Sequence, residues 1–351
     1  MATFSISDIA IKGISCCVPK NTQLNRELTL MSFDEIEKFI EATGVEERRI
    51  ADKNICTSDL CYHAAEKLIS ELNWNKEDIE VLVFVSQTSD FILPVTSTIL
   101  QNRLGLSQKC VAFDVPLGCS GYVYGMSIIA SMMKATGLKR GLLLAGDTSS
   151  KLLSVKDKST VPLFGDAGSA TAFEIDSKTN DLLFDLGSDG SGKEAIIIKD
   201  GGARNRITGD SLEYKETDSG IKRNACHLVL EGMDVFSFGI SQAPKTVNLL
   251  LDKFELDKDT IDYFIFHQAN LMMNKMIIKK LKIPQEKVPY SLQKFGNTSS
   301  ATIPLTIALN LKEQLINAKK EVIICGFGVG LSWGTAKICF DNLLLTDILE
   351  I

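Results

Sequence analysis

A thiol, an imidazole and a carboxamide stand out as the side chains able to support nucleophilic chemistry. Cys119 lies in VPLGCSGYVYG, between Gly118 and Gly121, where an unusually apolar segment begins. A cysteine at a helix start meets the positive end of the helix dipole and free backbone N–H groups, both of which favour the thiolate. Gly118 and Gly121 leave room for a substrate to approach the backbone. His267, one of three histidines, follows the apolar run DYFIF and opens HQAN. It therefore sits at the carboxyl end of a strand, where α/β sheets place their sites. Asn297, in FGNTSS, precedes a second apolar segment. Each residue also has a plain alternative: Cys119 as a packed core thiol, His267 as a hydrogen-bonded core imidazole, Asn297 as a turn residue or helix N-cap.

The elements that must position these residues occur twice. AAEKLISELNWNKEDIEVLVFVSQ reads as an amphipathic helix, an acidic turn and the strand Ile79–Val85; APKTVNLLLDKFELDKDTIDYFIFHQAN repeats the order, with the strand Ile261–Phe266. RGLLLAGDT matches KEVIICGFG, and LGLSQKCVAFDVPLGCSG matches LKIPQEKVPYSLQKFGNTSS. Ile79 then falls on Ile261, Leu104 on Leu281, Cys119 on Asn297 and Gly146 on Gly326, all at nearly one spacing. Such self-similarity marks a duplicated architecture, with halves 1–175 and 176–351. The strands are apolar throughout, as expected of strands buried between helix layers. One helix per half, 119–137 and 301–311, is apolar on every side and belongs in the middle of the molecule. Two stacked sheets, with two helices between them and others outside, follow. Cys119 and Asn297 then occupy matching loops, and with His267 they converge on one cleft.

Bulk composition narrows the function. With 351 residues, 45% of them hydrophobic and 23% charged, the chain can bury a sizeable core. A formal net charge of −6 gives no overall basic excess for nucleic acid. No basic and apolar leader opens the chain, and no run reaches the roughly 18–20 apolar residues of a membrane span. A cytoplasmic protein is expected. The 9 cysteines show no C-x-x-C and no zinc spacing, so free thiols and no metal are expected. GFGVGLSWG, after a strand 321–325, suggests a tight glycine loop aiming an N–H into the cleft; its G-x-G lacks the dinucleotide pattern. LFGDAGSATAF suggests close packing between the halves.

Taken in order, FDVPLGCSGYVYG, LFGDAGSATAF, FHQAN, FGNTSSATIP and GFGVGLSWG resemble β-ketoacyl-acyl carrier protein synthase III of the thiolase superfamily. The likeness runs from IKGISCCVPKN and TGVEERRI to LSWGTAKI. It implies a five-layered αβαβα thiolase-like fold, a homodimer and a Cys119–His267–Asn297 triad. It implies transfer of an acyl primer to Cys119, then decarboxylation of malonyl-acyl carrier protein and attack on the acyl-enzyme. No cofactor is implied beyond CoA or carrier-protein thioesters as substrates. The backbone N–H groups of Cys119 and Val329 are the expected oxyanion hole. His267 and Asn297 would hold the enolate, since an amide donates but takes no proton at neutral pH.

The sequence also departs from that pattern. Lys38 and Ala42 stand where acetyl-CoA-using members carry a Trp and an Arg against the nucleotide, and Lys151 replaces a further CoA-contacting Arg. Met272 replaces the Arg after HQANL that helps dock the acidic carrier; Lys275, Lys279 and Lys280 on the same predicted helix offer a basic face instead, or simply a solvated one. Leu93 falls where the family bounds the partner subunit's acyl tunnel, and a Leu in place of an aromatic predicts a primer longer or bulkier than acetyl. Two other outcomes share the nucleophile: malonyl-independent acyl transfer to an alcohol or amine, and thioester hydrolysis. A non-catalytic partner subunit fits less well with an intact triad.

Overall fold

The computed structural model describes residues 2–217, 220–316 and 318–351. The uniformly apolar runs become strands of two stacked sheets covered on both faces. The first sheet has seven strands. From one edge these are Val111–Val115, Val81–Val85, Arg140–Asp147, Ala167–Ile175 and Ile9–Val18, with the short Leu344–Leu345 and Leu349–Glu350 both paired to the last. The second sheet runs Ala2–Ile6, Leu182–Ser188, Ser332–Asp341, Lys319–Gly328, Tyr263–Phe266. Val81–Val85 lies parallel to Arg140–Asp147, and Tyr263–Phe266 parallel to Lys319–Gly328, so the duplicated segments make the same local pairing.

Two helices fill the space between the sheets, Gly121–Thr136 and Thr302–Asn310. One apolar cluster joins them to the inner faces of both sheets, from Val83 and Leu143 through Met126 and Ile129 to Ile303, Leu305 and Ile324. Thr57–Glu71 and Thr96–Arg103 cover the outer face of the first sheet, Gly232–Lys253 and Leu271–Leu281 that of the second. This is the expected five-layered αβαβα order. No helix of the described residues is long and apolar enough to cross a membrane.

Three details differ from what the repeat suggests. The chain's ends are exchanged: Ala2–Ile6 joins the second sheet beside Leu182–Ser188, while the last two strands join the first. The segment KVPYS, matched to the edge strand Val111–Val115, forms no strand, because Pro289 has no N–H to give a ladder. The glycine-rich stretch is not an open loop. Lys319–Gly328 runs two residues beyond Gly326, turns tightly, and returns as Ser332–Asp341 with Gly326 opposite Gly334.

Candidate active site

Cys119 sits two residues before the first central helix and is buried. Ser120, at the N-cap position, shares a 2.7 Å hydrogen bond with the Ser332 hydroxyl, which also donates to the Val329 carbonyl at 2.8 Å. The helix entrance and the glycine turn are thereby fastened together. The fastening works only because the strand carries glycines there. A Cβ on Gly326 would come 2.7 Å from the Cys119 carbonyl oxygen, and one on Gly328 2.8 Å from Sγ. With both absent, the N–H of Val329 and that of Cys119 itself come near enough to the sulfur to favour its charged form.

These donors do not make a thiolate in the free protein. Burial pushes the Cys119 thiol up to about 11, outweighing the N–H donors and the Ser299 hydroxyl, and the nearby Asp147 carboxylate adds to the rise. The sequence-based expectation that a helix start favours the thiolate is corrected here: the dipole and donors act, but desolvation is the larger effect.

His267 follows Tyr263–Phe266, with its N–H on the Cys325 carbonyl at 2.8 Å. It is buried, and burial alone drives its imidazole down to about 3, so the ring is neutral. Nδ1 lies 2.8 Å from the Thr302 hydroxyl, and the ring meets Phe327 edge-on at 5.7 Å. Asn297 is fixed by its backbone, donating to the Leu163 carbonyl at 2.9 Å and accepting from the Gly165 N–H at 3.0 Å. This contact, a bridge between Phe164 and Asn297, is the inter-half packing expected of LFGDAG. The Asn297 side-chain oxygen accepts from the Ser299 N–H at 2.9 Å, which leaves its NH₂ as the group able to face a substrate.

All three side chains line one narrow cavity of about 70 Å³. Its other walls include Phe327 and Gly328 from the glycine strand and Leu163 and Phe164 from the inter-half contact. Ile196, Leu230 and Val235 also line it. Those last three come from the irregular stretch after Leu182–Ser188 and the helix that follows, where no periodic apolar pattern could have revealed them.

Asp147 was also missed. Buried at the end of Arg140–Asp147, it accepts from Ser86 Oγ at 3.0 Å and the Gln87 N–H at 2.7 Å, both in the first half. It also accepts from Ser300 Oγ at 3.0 Å in the second. Burial raises its carboxyl above the usual range, and hydrogen bonds from the Gln87 N–H, the Ser299 and Ser300 hydroxyls and the Ser300 N–H oppose the rise. A carboxylate ending an uninterrupted apolar strand was the available signal.

The proposed binding residues divide. Lys38, Ala42, Met272 and Lys275 line one surface groove of about 510 Å³ between helices Phe33–Thr43 and Leu271–Leu281. Lys279 is exposed further along the second helix. The Lys280 ammonium instead bonds the Ile240 carbonyl at 3.0 Å. That carbonyl lacks its helical donor because residue 244 is proline, so Lys280 is engaged in satisfying the helix. Lys151 Nζ bonds the Lys53 carbonyl at 3.1 Å. Leu93 lies outside the cavity, 81% exposed beside exposed Phe91 and Ile92.

The family model described as 3-oxoacyl-[acyl-carrier-protein (ACP)] synthase III matches residues 113–190, and its C-terminal counterpart matches residues 251–339. The β-ketoacyl-[acyl-carrier-protein] synthase III of Clostridioides difficile strain 630 is 32% identical over 328 residues, which is 93% of this chain and 97% of that protein. The chain belongs to the β-ketoacyl-[acyl-carrier-protein] synthase III family. Among solved structures, a 3-oxoacyl-(acyl-carrier protein) synthase from Burkholderia xenovorans LB400 is 35% identical, with TM-score 0.94, covering 100% of this chain and 99% of that one. The synthase III of Pseudomonas aeruginosa PAO1 is 27% identical, with TM-score 0.82, covering 95% of this chain and 98% of its own. The protein is accordingly an acyltransferase of the condensing-enzyme type with a thiolase-like fold.

Proposed function

We propose that this synthase transfers an acyl primer from a CoA or carrier-protein thioester to Cys119 and condenses it with malonyl-acyl carrier protein. The observation that supports these roles is the convergence of Cys119, His267 and Asn297 on one cavity. In the first half-reaction the small thiolate fraction of Cys119 attacks the primer carbonyl. The oxyanion takes the Cys119 and Val329 N–H groups, the departing thiol takes the proton, and a thioester replaces a thioester at little cost. In the second, the malonyl carboxylate leaves as CO₂ and the electron pair passes to the thioester enolate. His267 Nε2–H and the Asn297 NH₂ hold that charge while the carbanion attacks the acyl carbon. Cys119 leaves as thiolate and is reprotonated from solvent.

The same reading extends to partners. The groove of Lys38 and Lys275, with Lys279 beside it, suits an acidic carrier or a CoA phosphate; Lys38 and Ala42 stand there in place of the family's stacked Trp and its Arg, and Met272 in place of its carrier-docking Arg. Exposed Phe91, Ile92 and Leu93, next to the edge strand Val111–Val115, suit a homodimer face from which Leu93 reaches the partner's acyl tunnel. A primer bulkier than acetyl and a cytoplasmic setting complete the proposal.

The test is intact-protein mass after incubation with a panel of acyl-CoAs and acyl-carrier proteins, followed by malonyl-carrier protein, with Cys119→Ala as control. A Cys119-dependent adduct that malonyl-carrier protein discharges as a ketoacyl product is expected. An adduct that persists, or one released as free acid without malonyl-carrier protein, would overturn the condensation. If acetyl-CoA is the fastest donor, the bulky primer is wrong.

A further inference from the structure

His267 is held neutral, so one ring nitrogen bears hydrogen and the other does not. Among the described residues only Nδ1 has a hydrogen-bond partner, 2.8 Å away at Thr302 Oγ1; Nε2 is the nitrogen left for the cavity that the ring lines. Thr302 has a single hydroxyl proton and two acceptors within reach, His267 Nδ1 and the Ser299 carbonyl at 2.9 Å. The two choices set opposite chemistries. A proton given to Ser299 obliges Nδ1 to carry hydrogen and presents a bare lone pair at Nε2. A proton given to Nδ1 places hydrogen on Nε2, facing the substrate as a donor.

The Ser299 carbonyl does not need the hydroxyl, because it already accepts the Thr302 backbone N–H. Among the described residues Nδ1 has no other donor. The hydroxyl is also well placed to stay where it is. Thr302 is fully buried, it opens the second central helix, and its carbonyl receives the Thr306 hydroxyl at 2.7 Å.

We propose that Thr302 is the positioning residue that donates its hydroxyl proton to His267 Nδ1 and so locks the imidazole as the Nε2–H tautomer needed to hold the enolate. This rests on the role given to His267 above, and it adds the residue that decides which nitrogen can play it. A partner on the far nitrogen is the general means of fixing a histidine tautomer. Thr302 itself touches no reacting atom.

The experiment reads the tautomer directly. With three histidines in the chain, ¹⁵N-histidine labelling gives three ring spin systems, and His267→Gln assigns the one of interest. Expected in the unmodified protein is a protonated Nε2 and an unprotonated Nδ1. Thr302→Ser should keep that pattern and the condensation rate. Thr302→Val, nearly isosteric, should lose the fixed pattern and slow malonyl decarboxylation by about 10–100-fold, the usual loss for an outer hydrogen-bond partner, while Cys119 is still acylated. A proton on Nδ1 in the unmodified protein, or full decarboxylation by Thr302→Val, would overturn the proposal. The ring spectrum needs no turnover. Failure of the condensation itself would show as absent CO₂ release in the unmodified protein.

Discussion

The loops that enter the two central helices occupy matching places in the two stacked layers and present opposite kinds of donor. At the first, Gly121 starts an α-helix almost at once, and backbone N–H groups lie near the Cys119 sulfur and favour its charged form. At the second, a short 3₁₀ turn at Ser299–Ala301 intervenes before the helix, with Ser299 in the left-handed region at φ 52. The Ser299 N–H is spent on the Asn297 side-chain oxygen, and it is the amide NH₂ that is released. Donors that are part of the backbone cannot drift, which suits the oxyanion-holding role proposed for them. Donors on side chains reach further, which suits the proposed role toward a second substrate that arrives later. Asp147 spans the difference, bonded to Gln87 in one half and Ser300 in the other, so the two entrances cannot move apart without breaking it.

If that division is real, the halves separate kinetically. The largest effect is expected from His267→Ala and Asn297→Ala. Each should lower malonyl decarboxylation by about 10²–10³, the range for losing one oxyanion donor, while primer transfer to Cys119, followed by mass, stays near its original rate. Loss of acylation in a folded variant would break the comparison.

The pH dependence should separate them as well. With the thiol near 11, only about one Cys119 in 10⁴ is thiolate at pH 7, and the fraction grows about tenfold per pH unit below that value. Alkylation of Cys119 by iodoacetamide should therefore rise about 100-fold from pH 7 to pH 9. The sign for His267 is the reverse. Its pKa is depressed, so it is neutral at every pH above about 3, and decarboxylation by preloaded acyl-enzyme should show no imidazole step between pH 5 and 8. The same depression costs stability in acid: the unfolded chain takes up a proton below 6.5 that the folded ring refuses, so stability falls as pH drops through that value. A step near pH 6.5 in decarboxylation would place a charged His267 in the second half-reaction.

Much of this was legible in sequence, for reasons that also explain what was not. The duplicated strands and the two all-apolar helices follow from burial, which leaves a pattern in residue type. Cys119, His267 and Asn297 could be placed because each lies at an element's end that the repeat aligns. The glycines of GFGVGLSWG were misread as loop because glycine permits both a turn and a close approach. Here Gly326 and Gly328 are in a strand, pressed against Cys119. Asp147 and Thr302 act through buried contacts between segments far apart in the chain, and a single buried polar residue has no periodicity to betray it. The cavity walls Ile196 and Leu230 belong to a two-residue strand pair, too short for any pattern.

The smallest effect expected is at the fastening of the first entrance. Ser332→Ala removes both the bond to Ser120 and the bond to the Val329 carbonyl, leaving a buried hydroxyl at Ser120 without that partner. Such a loss costs about 1–3 kcal/mol of stability, read as a lowered denaturation midpoint. The turn carrying the Val329 N–H would also be less firmly held over Cys119. Primer transfer should slow by up to about tenfold, corresponding to about 1.4 kcal/mol in the barrier. Decarboxylation measured on enzyme already acylated should not change, because His267 and Asn297 are held by Thr302, Ser299 and the Leu163–Gly165 backbone, none of which Ser332 touches. Equal slowing of both half-reactions would mean that the glycine turn supports the two entrances together, and that the donors of the two halves do not act on separate steps.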